Sequence, residues 1–189
     1  MDDIADPEAA ARNALSHGDR RRTLSLLMGL YGNTVYNYCR HMVRETALAE
    51  DVLQTTFVQA FADLVRYQGK SSFRNWLLGI ARHRCLDTLK MRRREEQHIT
   101  RPGAAPDVEA STAGAEEQLH LASIGKYLAH CLERLHEVVR EAIVLRFMQQ
   151  MSYEEMARLT GERAATLQMR VARAMSGLRK CLQGKGVGP

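Results

Sequence analysis

The chain has 189 residues, 27 basic against 22 acidic, and a formal charge of +5 at pH 7. Ala and Leu together (45 residues) far outnumber Val and Ile (16), which favours helices and argues against a sheet-based enzyme. No stretch approaches the ~18–20 continuous apolar residues of a membrane span, and the acidic Met1-Asp2-Asp3 start lacks a secretory core, so a soluble, cytoplasmic chain without membrane insertion is expected.

The four prolines, Pro7, Pro102, Pro106 and Pro189, leave two long proline-free stretches, as two helical lobes and a joint would. Residues 1–95 carry +4, residues 96–118 carry −4 and residues 119–189 carry +5. Two basic lobes on an acidic tether suit a polyanion touched at two places, although such charges also occur in ordinary domains. Cys39, Cys85, Cys131 and Cys181 are widely spaced. Cys39-x-His41 and His83-x-Cys85 fall on helical segments, where residues i and i+2 diverge by about 200° and cannot share one ion. The four cysteines are read as buried thiols without disulfides, and neither a metal nor a cofactor is expected.

Residues 1–17 read as a polar tail. Gly18-Asp19 opens a helix carrying Leu24, Leu27, Met28, Tyr31, Val35 and Tyr38, with a bend at Gly32-Asn33 and a break at Arg44-Glu45-Thr46. The next helix, about 47–66, places Leu53, Phe57, Ala60, Phe61 and Leu64 on a core stripe. Opposite lie Asp51, Gln54, Thr55, Val58 and Ala62, either a solvated surface or a face for docking another protein. Arg66 to Phe73, with Gly69, Ser71 and Ser72, reads as a loop. A helix then runs from about Ser72 to Arg94, burying Leu77, Leu78, Ala81, Cys85, Thr88 and Leu89. Its other arc holds Trp76, Ile80, His83, Asp87 and Lys90, a stacking ring among hydrogen-bonding groups of the kind that meets unpaired bases. Trp76 could equally pack beneath the loop. Residues 96–118 show no apolar periodicity and read as a flexible acidic linker.

The second lobe starts near Leu119. Leu135, Val138, Val139, Ala142 and Leu145 mark one amphipathic helix. Ser152-Tyr153-Glu154-Glu155 is an S-x-x-E capping box, and the helix it opens ends at Gly161. A second helix follows over about 165–182, giving a helix-turn-helix arrangement. Leu167, Val171, Ala174 and Leu178 bury one side of it. Met169, Ala172, Arg173, Ser176 and Lys180 face outward, flanked by Gln168 and Arg170. In this motif such residues read base edges and phosphates in the major groove.

Three runs, Glu50-Asp51-Val52-Leu53-Gln54-Thr55-Thr56-Phe57, Arg66 through Leu77, and Ile80-Ala81-Arg82, resemble region two of extracytoplasmic-function (ECF) sigma factors. Arg140-Glu141-Ala142, Leu145-Arg146 and Met151 through Ala157 resemble their region four. The resemblance implies two small all-α domains, region two over 18–95 and region four over 119–183, with a tail at 184–189. It implies that Asp51, Gln54, Thr55 and Val58 dock on the clamp coiled coil of the beta-prime subunit of core RNA polymerase, which also offers its beta subunit. Lys70, Ser71, Ser72, Phe73, Arg74, Asn75 and Trp76, with His83, Asp87 and Lys90, would recognise and open the minus-ten promoter element. Thr166, Gln168, Met169, Arg170, Ala172, Arg173, Ser176 and Lys180 would read the minus-thirty-five element. A cognate anti-sigma factor is a further implied partner.

The sequence departs from the family pattern in three places. His83 stands where asparagine is usual, and His136 where proline is common. Ala164 to Arg170 replaces a Gly-Thr-Val-Lys-Ser-Arg style of segment. Gln168 can pair bidentately with adenine and Met169 can touch a thymine methyl, so an unusual minus-thirty-five sequence is expected. Two other readings compete: a sigma-like mimic that sequesters an anti-sigma protein, and a stand-alone helix-turn-helix regulator. The mimic would be expected to lose the basic reading helix, and the regulator leaves the motifs of 47–95 unexplained. Nothing in the sequence marks an active site.

Overall fold

A computed structural model describes residues 6–98, 127–128, 130–132 and 134–184. The chain divides into two compact units, Met1–Pro102 and Gly103–Pro189. Among the described residues every regular element is helical, in keeping with the Ala- and Leu-rich composition. Most of the proposed linker, from residue 99 onward, lies outside the described residues.

The first unit holds α1 (Ala9–Ser16), α2 (Arg20–Val43), α3 (Thr46–Asp63) and α4 (Phe73–His98), with a 3-10 turn at Leu64–Arg66. Helix α2 packs on all three others, and α3 packs on α4. Asp19 starts α2 by accepting the Arg22 amide at 2.9 Å. Helix α2 then runs unbroken through Gly32-Asn33 and ends at Arg44, whose φ of +66° closes it as a left-handed cap. The core combines Leu27, Val35, Tyr38 and Met42 of α2, Phe57 and Ala60 of α3, and Phe73, Leu77, Leu78 and Ala81 of α4, all at most 3% exposed. In α3 the buried line is Ala49, Val52, Thr56, Phe57 and Ala60. Leu53 and Phe61 are only half-buried, because a helix held between two neighbours turns the bisector between them inward. Phe61 instead carries the Arg20 guanidinium 5.0 Å above its ring.

The polar-tail reading of residues 1–17 fails over 9–16, which form α1 on the flank of α2. Ala11 and Ala14 are buried at that contact, where small side chains allow close approach. Glu8, 6% exposed, anchors it: Tyr31 Oη donates to Glu8 Oε1 at 2.7 Å, and Arg12 Nη1 donates to Glu8 Oε2 at 3.0 Å. Burial, then the hydrogen bond and negative charge of Glu8, push the Tyr31 phenol up to about 12.

In the second unit residues 127–128 and 130–132 are helical. They precede α5 (Glu137–Ile143), a π-helical turn (Val144–Met148), α6 (Tyr153–Thr160) and α7 (Ala164–Gln183). Helix α7 packs on α5 and α6, burying Leu167, Val171, Ala174 and Leu178 as the periodicity predicts. The capping box of α6 closes both ways: Ser152 Oγ accepts the Glu155 amide at 3.2 Å and Glu155 Oε2 accepts the Ser152 amide at 2.8 Å. Gly161, with φ +76°, terminates α6.

The cysteine expectation is corrected in half. Cys39 and Cys85 are free and buried, but Cys131 and Cys181 form a disulfide, their Cα atoms 6.0 Å apart. Fifty residues separate them in the chain. The return of α7 across α5 brings its last turn to residue 131, a proximity that no local pattern encodes.

Candidate nucleic-acid interface

Three surfaces hold the residues singled out from the sequence. On α3, Asp51, Gln54, Thr55 and Val58 are all exposed, Val58 by 71%. Thr55 Oγ1 donates to the Val52 carbonyl at 3.1 Å. The exposed Val58 lies amid a carboxylate, an amide and a threonine, which makes this a mixed face.

The second surface joins the 67–72 loop to the start of α4. Gly69 takes φ +69° to turn the chain, and Tyr67 Oη donates to the Ser71 carbonyl at 2.5 Å to close it. Ser72 caps α4: its Oγ accepts the Asn75 amide at 3.2 Å and its carbonyl accepts the Trp76 amide at 3.0 Å. The tip, Lys70 and Ser71, is exposed. Arg74 Nη1 donates to Asn75 Oδ1 at 3.4 Å.

Phe73 requires a correction. It is fully buried and stacked under Tyr67, with centroids 4.4 Å apart and planes at 17°, so its ring presents no face to a base. The half-buried rings at this surface are Tyr67 and Trp76, 5.0 Å apart and inclined at 55°. Trp76 packs against the loop through Tyr67 and Phe73 and stays half-buried, with part of its ring open to solvent. Tyr67 was missed as a site residue, although its place in an aromatic-bearing loop signalled it. Burial, followed by the negative charge of Glu8, raises its phenol pKa, so it stays a neutral donor.

Glu8 was missed as well. Beyond Tyr31, its Oε1 accepts the Arg74 amide at 3.4 Å, placing a carboxylate at the open N-terminal turn of α4, where the helix dipole favours it. Helix α1 thereby braces the base of the loop. His83, Asp87 and Lys90 are exposed further along α4. At 1.5 Å per residue the stripe from Trp76 to Lys90 extends about 21 Å, so only its Trp76 end meets the loop.

The third surface is the outer face of α7. Thr166, Gln168, Met169, Ala172, Arg173, Ser176 and Lys180 are exposed, Met169 by 55%. Arg170 differs from them. Its guanidinium grips Glu162 bidentately, Nη1 to Oε1 at 2.7 Å and Nη2 to Oε2 at 2.5 Å. The hydrogen bond to Glu162 raises its pKa further. The fork therefore bolts the turn onto α7 instead of reaching outward. On the other side of the motif, Arg146 Nη1 donates to the Met151 carbonyl at 2.8 Å and its guanidinium lies 5.1 Å over the Tyr153 ring. These contacts tie the π-helical turn to the start of α6.

The comparisons agree with this geometry. A sigma-70 region 2 model matches residues 27–95, and a sigma-70 region 4 model matches residues 125–178. The RNA polymerase sigma factor CarQ of Myxococcus xanthus is 30% identical over 156 residues, covering 82% of this chain and 87% of that protein. This chain is a member of the ECF sigma-factor family. The ECF RNA polymerase sigma factor SigM of Bacillus subtilis is 26% identical over 167 residues, covering 87% of this chain and 98% of its own. Among solved structures, CnrH in complex with the cytosolic domain of CnrY matches with a TM-score of 0.66 and 25% identity over 95% of this chain and 99% of that one. The Bartonella quintana sigma factor RpoE, solved with the anti-sigma factor NepR, has a TM-score of 0.69 at 24% identity over 82% of this chain and 94% of that one, a likeness of fold.

Membership makes the chain a transcription regulator that serves promoter-specific initiation by RNA polymerase. Among the described residues no helix is long and apolar enough to cross a membrane, and no group of His, Cys, Asp and Glu could hold a metal ion.

Proposed function

We propose that the sigma factor divides its work among the three surfaces. The mixed face of α3, with Asp51, Gln54, Thr55 and Val58, docks on the beta-prime subunit of core RNA polymerase. The loop tip at Lys70 and Ser71, with Arg74, Asn75 and the rings of Tyr67 and Trp76, receives an extruded base of the minus-ten element. Extrusion costs a few kcal/mol, which stacking and hydrogen bonds at such a surface offset. His83, Asp87 and Lys90 follow the adjoining strand along α4. Phe73 and Ser72 serve this surface indirectly, one as the floor beneath Tyr67 and the other as the cap of α4.

Gln168 and Met169, at the front of α7, contact base edges of the minus-thirty-five element. Thr166, Ala172, Arg173, Ser176 and Lys180 meet the flanking backbone and bases, while Arg170 positions the helix through Glu162. The observation that carries this reading is the outward face of α7, set at the far side of a capped, glycine-terminated helix-turn-helix. The chain does its work in the compartment of the polymerase, and an anti-sigma protein is its expected restraint, in line with the partners named in the structures of CnrH and RpoE.

Run-off transcription with core polymerase, with and without the chain, tests the proposal. Product that depends on both the chain and one upstream sequence is expected. Duplex binding without polymerase-dependent product would replace it with a stand-alone regulator.

A further inference from the structure

We propose that Cys131 and Cys181 form a reversible thiol-oxidation site that couples the redox state of the cell to the stiffness of the promoter-reading helix. Three observations support this.

The first is distance. A Cα separation of 6.0 Å falls at the common value for bridged cysteines, so the fold holds the bond at an ordinary backbone spacing.

The second is access. Cys131 is 2% exposed, whereas Cys181 is only part-buried on the last turns of α7. A small reagent reaches Cys181 first, and the buried neighbour resolves the adduct. A protein that serves RNA polymerase works where thiol buffers keep most cysteines reduced, and a disulfide there is generally transient. Cys39 and Cys85, both fully buried, lack such access.

The third is placement. The buried line of α7 runs Leu167, Val171, Ala174, Leu178, and Cys181 continues it one turn further, so the bond fastens the last turn. Lys180, next to Cys181, is an exposed member of the outward face. Oxidation thus pins the C-terminal end of the reading helix to the 130–132 segment, and reduction frees that end to fray. Preorganising a binding face lowers the ordering cost of association, so the oxidised chain is the tighter reader.

The chemistry is a two-electron exchange with a low-molecular-weight disulfide such as oxidised glutathione. The Cys181 thiolate attacks one glutathione sulfur, forming a mixed disulfide and expelling a glutathione thiolate. The Cys131 thiolate then attacks Cys181 Sγ, breaking the mixed disulfide and expelling the second glutathione thiolate. The two protein thiols lose two electrons and two protons, and the two glutathione thiolates take up both. Reduced glutathione in excess reverses the exchange.

The transcriptional consequence rests on the proposed minus-thirty-five role, but the bond itself does not. Full-length chain is equilibrated in glutathione buffers of graded ratio, its free thiols are blocked with N-ethylmaleimide, and the Cys131–Cys181 peptide is followed by mass spectrometry. Thermal unfolding and run-off transcription are measured on the same samples. The bond is expected to titrate at an intermediate ratio, with thermal unfolding about 10 °C lower in the reduced chain and run-off product about fivefold lower. A Cys131→Ala/Cys181→Ala chain should match the reduced wild type and ignore the buffer, while a Cys39→Ala chain should respond as wild type does. If the double variant does not fold, the wild-type titration decides alone.

A bond absent at every ratio, or one that survives excess reduced glutathione, overturns the reversible site. A titrating bond with equal transcription in both states overturns the coupling. A titrating bond with no promoter-dependent product in either state leaves the thiol site standing and rejects the proposed function instead.

Discussion

The two units reach stability by different routes. The first is built from long helices around large side chains: Leu27, Tyr38, Met42, Leu64, Phe73, Leu77 and Leu78 are all at most 1% exposed. In the second, α5 has 7 residues and α6 has 8, too short to persist alone. Among its described residues the fully buried large side chains are Leu145, Met151, Met156 and Leu167. Local signals and cross-links supply the rest: the Ser152/Glu155 capping box, Gly161 and the Arg146 contacts act within a few positions, and the Glu162–Arg170 pair and the Cys131–Cys181 bond fasten what tertiary packing brings together. The lesson is that a large core can tolerate an exposed, open loop on its edge, as at residues 68–71. A small domain must have its reading helix pinned from several sides.

The sharpest way to break this contrast is Leu77→Ala. It deletes a fully buried side chain in the first unit and should cost about 2–5 kcal/mol, measured by urea unfolding. Hydrogen exchange should show lost protection across α1–α4 with α6 and α7 unchanged. Equal loss in α6 and α7 would mean that the units are energetically one.

Next comes Gln168→Ala on the reading face. It should lower discrimination at one base position by about 1–3 kcal/mol without changing stability, checked by competition among promoter duplexes. Arg173→Ala, by contrast, should weaken all sequences alike and reduce the salt slope by about one phosphate. Ser152→Ala should cost about 1 kcal/mol, visible as increased amide exchange at the start of α6. A negligible effect there would shift the weight of the second unit from caps to core.

The smallest effect concerns α1. The Tyr31 phenol loses its proton near 10 in the unfolded chain and at about 12 in the fold. Its contribution to stability is therefore complete below pH 10 and drains away as pH rises from 10 to 12. Tyr31→Phe should flatten that part of the stability profile, and an unchanged slope would place the phenol outside the Glu8 network.

Much of this was legible in the sequence. The helix-turn-helix could be read nearly residue by residue, because a capping box, a left-handed glycine and a 3.6-residue apolar period all act within a few positions. The same holds for the exposed faces of α3 and α7 and for the cap at Asp19. Helix α1 was legible too, had Asp6-Pro7-Glu8 been weighed as a start signal: Asp6 Oδ1 accepts the Glu8 amide at 2.9 Å. Its Ala-rich stretch hid it, since small residues show no apolar stripe.

Local chemistry along the chain thus determined the fold class, the reading motif and the faces left to solvent, since helix propensity, capping and periodicity are short-range effects. Tertiary structure alone decided that Phe73 is floor rather than wall, that Arg170 holds Glu162, that Glu8 braces α4 from 66 residues away and that Cys131 meets Cys181. Each of these depends on how side chains from separate segments pack. Such packing is set by whole side-chain surfaces, which no single stretch of sequence contains.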